Sequence, residues 1–338
     1  MENRNFLVLD GGLGSALIRA GFDIDEDPLW GGKVLIENPD AVKTIHKSFL
    51  LSGANVVITN TYQVTIEGLC QHYGLNQSEA VSVIYKAVKI ARDACDEVHS
   101  TNVGCQEKLL VAGSVGPYGA CLHDRSEYTG DYVDSMTIQE LMDWHRPRID
   151  ALLQAGVDIL AMETIPAQKE AEALVQLLKE FPTAKAWLTL SCRDGSHTCR
   201  GEMFSDVVQN VVRQSTQVAA VGVNCTFPLY VKSLLQSIKG KVDLPFVVYP
   251  NSGEMLKDGT GLLSDEARGH SKDTRSSGQA SMTSQALFKG YLQLYRSVLT
   301  RLRHFSTFSG NAALKLAQGV LRAQRMKKNY TKPTYISL

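Results

Sequence analysis

The stretch "DILAMET", residues 158–164, shows the pattern that decides the fold: a short apolar run that ends beside a carboxylate, here Glu163. Runs of this kind recur along the chain, and segments with helical spacing lie between them. The seven runs are "FLVLDGG" (6–12), "NVVITNTY" (55–62), "LLVAGSVGP" (109–117), "DILAMET" (158–164), "AWLTLSC" (186–192), "VAAVGVNC" (218–225) and "PFVVYPN" (245–251). This alternation predicts a parallel sheet with helical crossovers.

Polar residues fall at the C-terminal ends of these runs, and their position favours a closed barrel over an open sheet. They are Asp10, Thr59 to Thr61, Ser114, Glu163, Cys192, Asn224, Cys225 and Asn251. In a barrel these ends converge on one mouth, which is where such folds place their chemistry. We therefore predict an α/β fold of the TIM (β/α)8 type, in which the eighth strand is not recognisable.

Two helices between the runs carry clear boundary signals. Asn38 is an N-cap followed by Pro39, and that helix stops at Gly53. Thr137 and Glu140 form a capping box at the start of the second. Pro147 lies inside the second helix and removes a backbone donor, so we expect a kink or two abutting helices there.

Composition excludes several classes of protein. The 35 basic and 35 acidic residues cancel, which argues against a nucleic-acid partner or an anionic membrane surface. No apolar run approaches the roughly 20 residues that a membrane helix needs. The N-terminus lacks the pattern of a signal peptide, and all seven cysteines lie at or before Cys225. These features predict a cytoplasmic protein with reduced thiols or metal ligands.

The chain changes character after residue 254. We predict a barrel over 1–254, a disordered loop rich in Ser, Gly and charge over 255–285, and a basic helical tail over 286–338. From Lys257 onward there are 14 basic and 4 acidic residues. Helical spacing favours solvated amphipathic helices in the tail over contact with RNA or a membrane.

The first 254 residues resemble the homocysteine S-methyltransferase family, which makes methionine from homocysteine. The similarity is carried, in the family's order, by "LDGGLGSAL", "DPLWGGKVLIENPDAVKTIHKSFLLSGANVVITNTYQ", "AGSVGPYGACLHDRSEYTGDY", "HRPRIDALLQAGVDILAMETIPAQKEAEAL", "VGVNCTFPLYV" and "VVYPNSGE". The resemblance implies methyl transfer to homocysteine on a TIM barrel. "TNTYQ" and the lack of a betaine-type extension favour S-methylmethionine or S-adenosylmethionine as donor.

The resemblance also implies a catalytic zinc ion, which makes a coordinating thiol a thiolate. Cys225 matches the family's first zinc ligand and is therefore the candidate catalytic and metal-binding residue. The other two ligands are an adjacent pair of cysteines after Gly-Gly, and this sequence has no such pair. An alternative reading follows from that difference: a catalytically inactive variant with a different C-terminus.

The other half of the site is complete in the sequence. Asp10 and Glu163 match the family positions that bind the substrate ammonium, as carboxylates do well. Gly11 and Gly12 match backbone that approaches the ligand closely, because neither has a Cβ. Asn224, beside Cys225, is expected to orient substrate or to brace the loop.

Some other candidates have simpler interpretations. Cys192, His197 and Cys199 do not have the spacing of a closed zinc site, and we interpret them as a core cysteine followed by a polar loop. Asp10-Gly11-Gly12 with Gly14 lacks the order of a dinucleotide loop. The histidines of apparent helices are interpreted as ordinary surface or packing residues; they include His46, His72 and His145.

Overall fold

The computed structural model describes residues 6–101 and 108–251, and for 334–337 it gives the backbone. Seven parallel strands curl into one sheet, as the sequence predicts, with helices between successive strands. The seven strands are β1 (Phe6–Leu9), β2 (Val56–Ile58), β3 (Leu110–Val115), β4 (Ile159–Ile165), β5 (Ala186–Leu190), β6 (Val218–Asn224) and β7 (Phe246–Tyr249). All seven predicted strands are present, and most are shorter than the quoted runs because the chain turns at the mouth.

An eighth segment lies between the first and the last of these strands. This segment, β8 (Thr334–Ser337), is antiparallel to both β1 and β7, and with it the strand order is closed. The sequence pattern does not predict this strand. Four residues after a basic segment give too short a pattern to detect, and the antiparallel direction departs from the repeating strand-helix order.

The helices surround the sheet, and their ends follow the predicted boundary signals. They are α1 (Leu13–Arg19), α2 (Lys33–Glu37), α3 (Pro39–Leu51), α4 (Ile66–Tyr73), α5 (Gln77–Thr101), α6 (Ile138–Gln154), α7 (Gln168–Leu178), α8 (Phe204–Gln214) and α9 (Pro228–Ile238). The Asn38 side chain accepts a hydrogen bond from Ala41 N at the start of α3, and the Thr137 capping box begins α6. Helix α6 continues as one element through Pro147, so the prediction of two abutting helices is wrong.

Two apolar layers hold the sheet in place. Inward-facing side chains fill the interior, where Trp187 is the largest member. The other buried members of this layer are Leu9, Val56, Ala112, Ala161, Ala220 and Val247. A larger layer lies between the sheet and the helices, and one of its members, Phe49 of α3, is 1% exposed. With the interior filled, a ligand reaches only the ends of the strands.

Two findings bear on the predicted class and domains. Among the described residues, no helix is both long and apolar enough to cross a membrane. The predicted loop at 255–285 lies outside the described residues, and so does the tail at 286–338 apart from the β8 backbone.

Candidate functional site

The predicted site residues lie at the C-terminal ends of parallel strands, and these ends lie at the same end of the sheet. Asp10 directly follows β1, and Glu163 lies near the end of β4. Asn224 is the last residue of β6, and Cys225 follows it. Asp10, Glu163 and Asn224 are buried, whereas Cys225 is partly exposed. The three buried polar side chains thus lie below the surface at the strand ends, and of the four residues only Cys225 is partly exposed to solvent.

Glu163 is held by two hydroxyl groups. Ser114 Oγ donates a hydrogen bond to Glu163 Oε1, and the Tyr249 side chain is also hydrogen-bonded to this carboxyl group. Tyr249 is itself oriented by Trp187, whose Nε1 donates to the Tyr249 hydroxyl over 3.1 Å. Burial raises the pKa of Glu163 above its ordinary value. Burial has removed the water that would stabilise the charge of this carboxylate. A bound cation can stabilise the charge instead.

Asp10 is the second buried carboxyl group of the site. Its Oδ2 accepts a hydrogen bond of 2.8 Å from Ile58 N, which fixes the side chain against the end of β2. Burial raises the pKa of Asp10 well above its ordinary value, and the negative charge of Glu163 raises it further. Each of the two carboxyl groups disfavours the negative charge of the other. A ligand cation that binds to both therefore stabilises their ionised forms.

His46 of α3 lies behind Asp10, fully buried. Its Nδ1 is 4.0 Å from Asp10 Oδ2, and within the described part of the chain neither ring nitrogen has a hydrogen-bond partner. Burial lowers the pKa of His46 to about 4. The sequence interpretation of an ordinary packing residue holds for the burial of His46 but misses its position beside the site.

We expect His46 to make the fold sensitive to acid. An unfolded histidine binds a proton below about pH 6.5, whereas folded His46 does so only below about pH 4. The unfolded state therefore binds more protons in this window, and stability falls as the pH is lowered. Relative to His46→Leu, the wild-type chain should lose about 3 kcal/mol of unfolding free energy from pH 7 to pH 4. Urea titrations at both pH values measure the difference, and exposed His72→Leu is the control. Equal losses in wild type and His46→Leu would contradict the expectation.

The backbone beside the thiol is in an uncommon conformation. Thr164 has φ 61° and Cys225 has φ 46°, both in the left-handed region, which is a clear outlier for a β-branched residue such as threonine. The two residues are neighbours, because Thr164 Oγ1 donates to Cys225 Sγ over 3.5 Å. Backbone strain of this kind costs about 1–3 kcal/mol per residue and concentrates at functional sites.

Asn224 connects the two strained residues. Its Oδ1 accepts a hydrogen bond of 2.7 Å from Thr164 N, and its Nδ2 donates to Thr164 Oγ1 over 2.7 Å. The same Nδ2 lies 3.5 Å from Cys225 Sγ. Both ends of the amide are thus engaged with neighbouring protein atoms. Of the two expected roles for Asn224, this geometry favours the bracing of the loop.

Contacts within the protein do not explain the glycine at position 12, shortly after Asp10. Gly12 precedes α1, and a Cβ built there meets only Ser15 side-chain atoms, at 3.6 Å or more. The protein itself therefore leaves room for a side chain at Gly12. The predicted close approach of a ligand to the backbone of Gly11 and Gly12 stays a prediction.

The other candidate thiols are neutral and lie in the neighbouring loop. Burial raises the pKa of Cys192 well above its ordinary value and raises that of Cys199 to about 11. His197 contacts Asp194, with its Nδ1 3.0 Å from the carboxylate. These contacts agree with the interpretation of a core cysteine followed by a polar loop.

The described residues do not fit the zinc ion that the family resemblance implies. A catalytic zinc requires three protein ligands. Across 6–101 and 108–251, no three His, Cys, Asp or Glu side chains are grouped so that they hold a metal ion. Cys225 supplies one sulfur, which accepts hydrogen bonds from the side chains of Thr164 and Asn224.

Several residues of the site were not singled out as ligand-binding by the sequence. Thr164 braces the thiol, Tyr249 binds Glu163, and Tyr62 is hydrogen-bonded to Thr164. The available signal was their position, because each lies at or next to the end of a predicted strand. Their hydrogen-bond partners lie on other strands, so the pairing itself has no local pattern.

Comparisons with known proteins show which family the chain resembles. The sequence profile of the family described as "Homocysteine S-methyltransferase" matches residues 7–291, which extends past the predicted end of the barrel at residue 254. A betaine-homocysteine S-methyltransferase of Drosophila melanogaster is 40% identical over 268 residues, 75% of this chain and 81% of the relative. A homocysteine S-methyltransferase of Escherichia coli is 41% identical over 254 residues, 75% of this chain and 80% of the relative.

A solved structure is similar in three dimensions as well. The crystal structure of the homocysteine methyltransferase MmuM from Escherichia coli, in its metallated form, superposes with a TM-score of 0.70 at 41% identity. The similarity covers 74% of this chain and 85% of that protein.

Proposed function

This chain belongs to the homocysteine S-methyltransferase family, a family of methyltransferases, and from this premise we propose that it transfers a methyl group to the thiol of homocysteine, giving methionine. The comparisons give no support to the alternative of an inactive variant. The observation that carries the proposal is the pair of buried carboxyl groups, Asp10 and Glu163, in a mouth that also holds the Cys225 thiol.

The carboxyl pair is proposed to bind the ammonium group of homocysteine. Asp10 is held by Ile58 N, and Glu163 is held by Ser114 and Tyr249, so both are oriented before the ligand arrives. Charge-assisted hydrogen bonds in a buried site are among the stronger contacts a protein makes. The ligand cation also offsets the burial that raises both carboxyl pKa values, which favours an amino acid over an uncharged thiol.

The thiol of homocysteine is proposed to lie beside Cys225. Homocysteine releases its thiol proton to water, its sulfur attacks the methyl carbon of a sulfonium donor in line, and the donor carbon–sulfur bond breaks. The bonding electrons go to the departing sulfur, which becomes a neutral thioether. Cys225 positions the reacting sulfur, and its neighbours Thr164 and Asn224 hold Cys225 in place. Zinc stays a prediction from the family resemblance, with Cys225 as the ligand in this chain.

The methyl donor is proposed to be S-methylmethionine or S-adenosylmethionine. Support comes from the "TNTYQ" segment, residues 59–63. The Drosophila relative carries betaine in its name, so the donor requires a direct test. The cytoplasmic location and the absence of nucleic-acid and membrane partners also remain predictions.

Transfer of an isotopic label tests the function. The full chain is incubated with L-homocysteine that carries carbon-13 in its backbone and with a donor whose transferable methyl groups are deuterated, and methionine that carries both labels is measured by mass spectrometry. We expect label in methionine with S-methylmethionine or S-adenosylmethionine, and no label with deuterated betaine. Transfer from betaine alone would overturn the donor assignment. No label from any of the three donors would overturn the function.

A further inference from the structure

Arg148, near the middle of α6, is buried at a level unusual for a charged residue. Its side chain is 1% exposed, and burial lowers the pKa of its guanidinium. Taking such an ion out of water costs several kcal/mol unless its donors are satisfied, and apolar residues of similar volume often serve stability as well. Stability alone therefore does not account for arginine here, and its partners point to a further role.

Two of the direct partners of Arg148 are backbone carbonyl groups at the site. Its Nη1 donates to Tyr62 O over 3.2 Å, and its Nη2 donates to Gly116 O over 2.7 Å. Tyr62 follows β2 and Gly116 follows β3, so one guanidinium fixes the chain beyond two neighbouring strand ends. The face of Trp144 lies 4.9 Å from the guanidinium carbon and covers it. The planar fork of arginine suits this task, because it reaches two acceptors in fixed directions.

A hydrogen-bond chain orients Arg148 from behind. Its Nη2 lies 2.9 Å from His145 Nδ1, and His145 Nε2 lies 2.9 Å from Glu170 Oε1. Because arginine only donates, His145 Nδ1 accepts, and the ring proton lies on Nε2 and points to Glu170. Burial and the charge of Arg148 lower the pKa of His145, which agrees with a neutral ring. Glu170 also accepts from Tyr118 N over 2.7 Å and from the Tyr132 hydroxyl.

Tyr62, one of the two residues whose carbonyl groups accept from Arg148, also contacts the part of the site that contains Cys225. A Cβ added to Gly116 would lie 2.5 Å from Tyr62 O and 2.7 Å from the Tyr62 ring, so the ring packs directly on this glycine. The Tyr62 side chain is hydrogen-bonded to Thr164, which donates to Cys225 Sγ. The contacts thus run from Arg148 through Tyr62 and Thr164 to the thiol.

We propose that Arg148 is a positioning residue of the methyl-transfer site: it fixes the Tyr62 and Gly116 carbonyl groups and so holds Tyr62 and Thr164 against Cys225. The inference deepens the proposed function and rests on it for the meaning of the site. The charge of Arg148 also favours the ionised form of Glu163, so the same residue supports the ammonium end.

The alkylation rate of Cys225 tests this proposal without requiring turnover. The full chain is treated with iodoacetamide, and the modification of each cysteine is followed by mass spectrometry. In Arg148→Met we expect Cys225 to react about fivefold faster than in the wild type, because the thiol loses its cover and its fixed donors. Cys70 of α4 is also partly exposed and serves as the internal control. Its alkylation rate should stay unchanged. A purely structural role for Arg148 would raise both rates together.

Two further variants keep the test decisive. Arg146→Met is the matched control, since Arg146 lies on the same helix but pairs at the surface with Glu180. In Arg146→Met, Cys225 should be alkylated at the wild-type rate. Arg148→Lys keeps the buried charge but not the fork, and we expect an intermediate rate for Cys225 even if Arg148→Met fails to fold. Wild-type reactivity of Cys225 in folded Arg148→Met, or in Arg148→Lys, would overturn the proposal. Failure of methyl transfer with these rates as expected would overturn the function alone.

Discussion

Cys225→Ala should abolish methyl transfer, with a fall in kcat/KM of at least about 10³-fold. The sulfur accepts hydrogen bonds from Thr164 and Asn224 and, in our proposal, lies beside the substrate thiol. Alanine removes it and leaves both donors facing a gap. The buried carboxyl groups are not touched, so binding of homocysteine through its ammonium group should persist within a few-fold of the wild type. Transfer of the deuterated methyl group measures the first effect, and calorimetry measures the second.

The control for this substitution is Cys70→Ala, which removes a partly exposed thiol of α4 outside the site. It should keep full transfer activity. Zinc content is measured on the same preparations by elemental analysis. Retained turnover in Cys225→Ala would exclude the proposed role of this thiol. Zinc lost in Cys225→Ala but kept in Cys70→Ala would assign Cys225 as a ligand, as the family resemblance predicts.

Glu163→Gln should weaken homocysteine binding by about 10- to 100-fold, which corresponds to the loss of one buried charge-assisted hydrogen bond. The amide has nearly the same shape, so Ser114 and Tyr249 keep a partner and the site keeps its form. Neutral glutamine no longer attracts the ammonium group. Binding is measured by calorimetry with homocysteine and, as a probe for the ammonium end, with homocysteine lacking its amino group.

The pH dependence of binding follows from the same carboxyl groups. Burial raises the pKa values of Glu163 and Asp10 above their ordinary values of 4.5 and 3.8, so they take up protons earlier than exposed carboxyl groups as the pH falls. The dissociation constant of homocysteine should therefore rise between pH 7 and pH 5, and less steeply in Glu163→Gln. Glu180→Gln, at a surface pair with Arg146, is the control. Equal affinity of Glu163→Gln and wild type for homocysteine would contradict the assignment.

The local elements of this protein were readable from sequence because their causes lie within a few residues. The alternation of apolar runs with helical segments predicted seven parallel strands, and the polar residue near the end of each run predicted the position of the mouth. Asn38 and the Thr137 capping box act through backbone donors three residues away, so they located the starts of α3 and α6 correctly. Of the two outcomes expected at Pro147, a pair of abutting helices is wrong, because α6 continues through the proline, whereas a kink stays a prediction.

The tertiary structure alone decided how the site is held. The left-handed backbone of Thr164 and Cys225 is stabilised by Asn224, which is 60 residues from Thr164 in sequence. Arg148 reaches Tyr62 across 86 residues. The sequence thus determined which side chains arrive at the mouth, because strand periodicity and caps are short-range. It did not determine their strain, protonation or hydrogen-bond partners, because these depend on burial and on groups that only the closed sheet brings together.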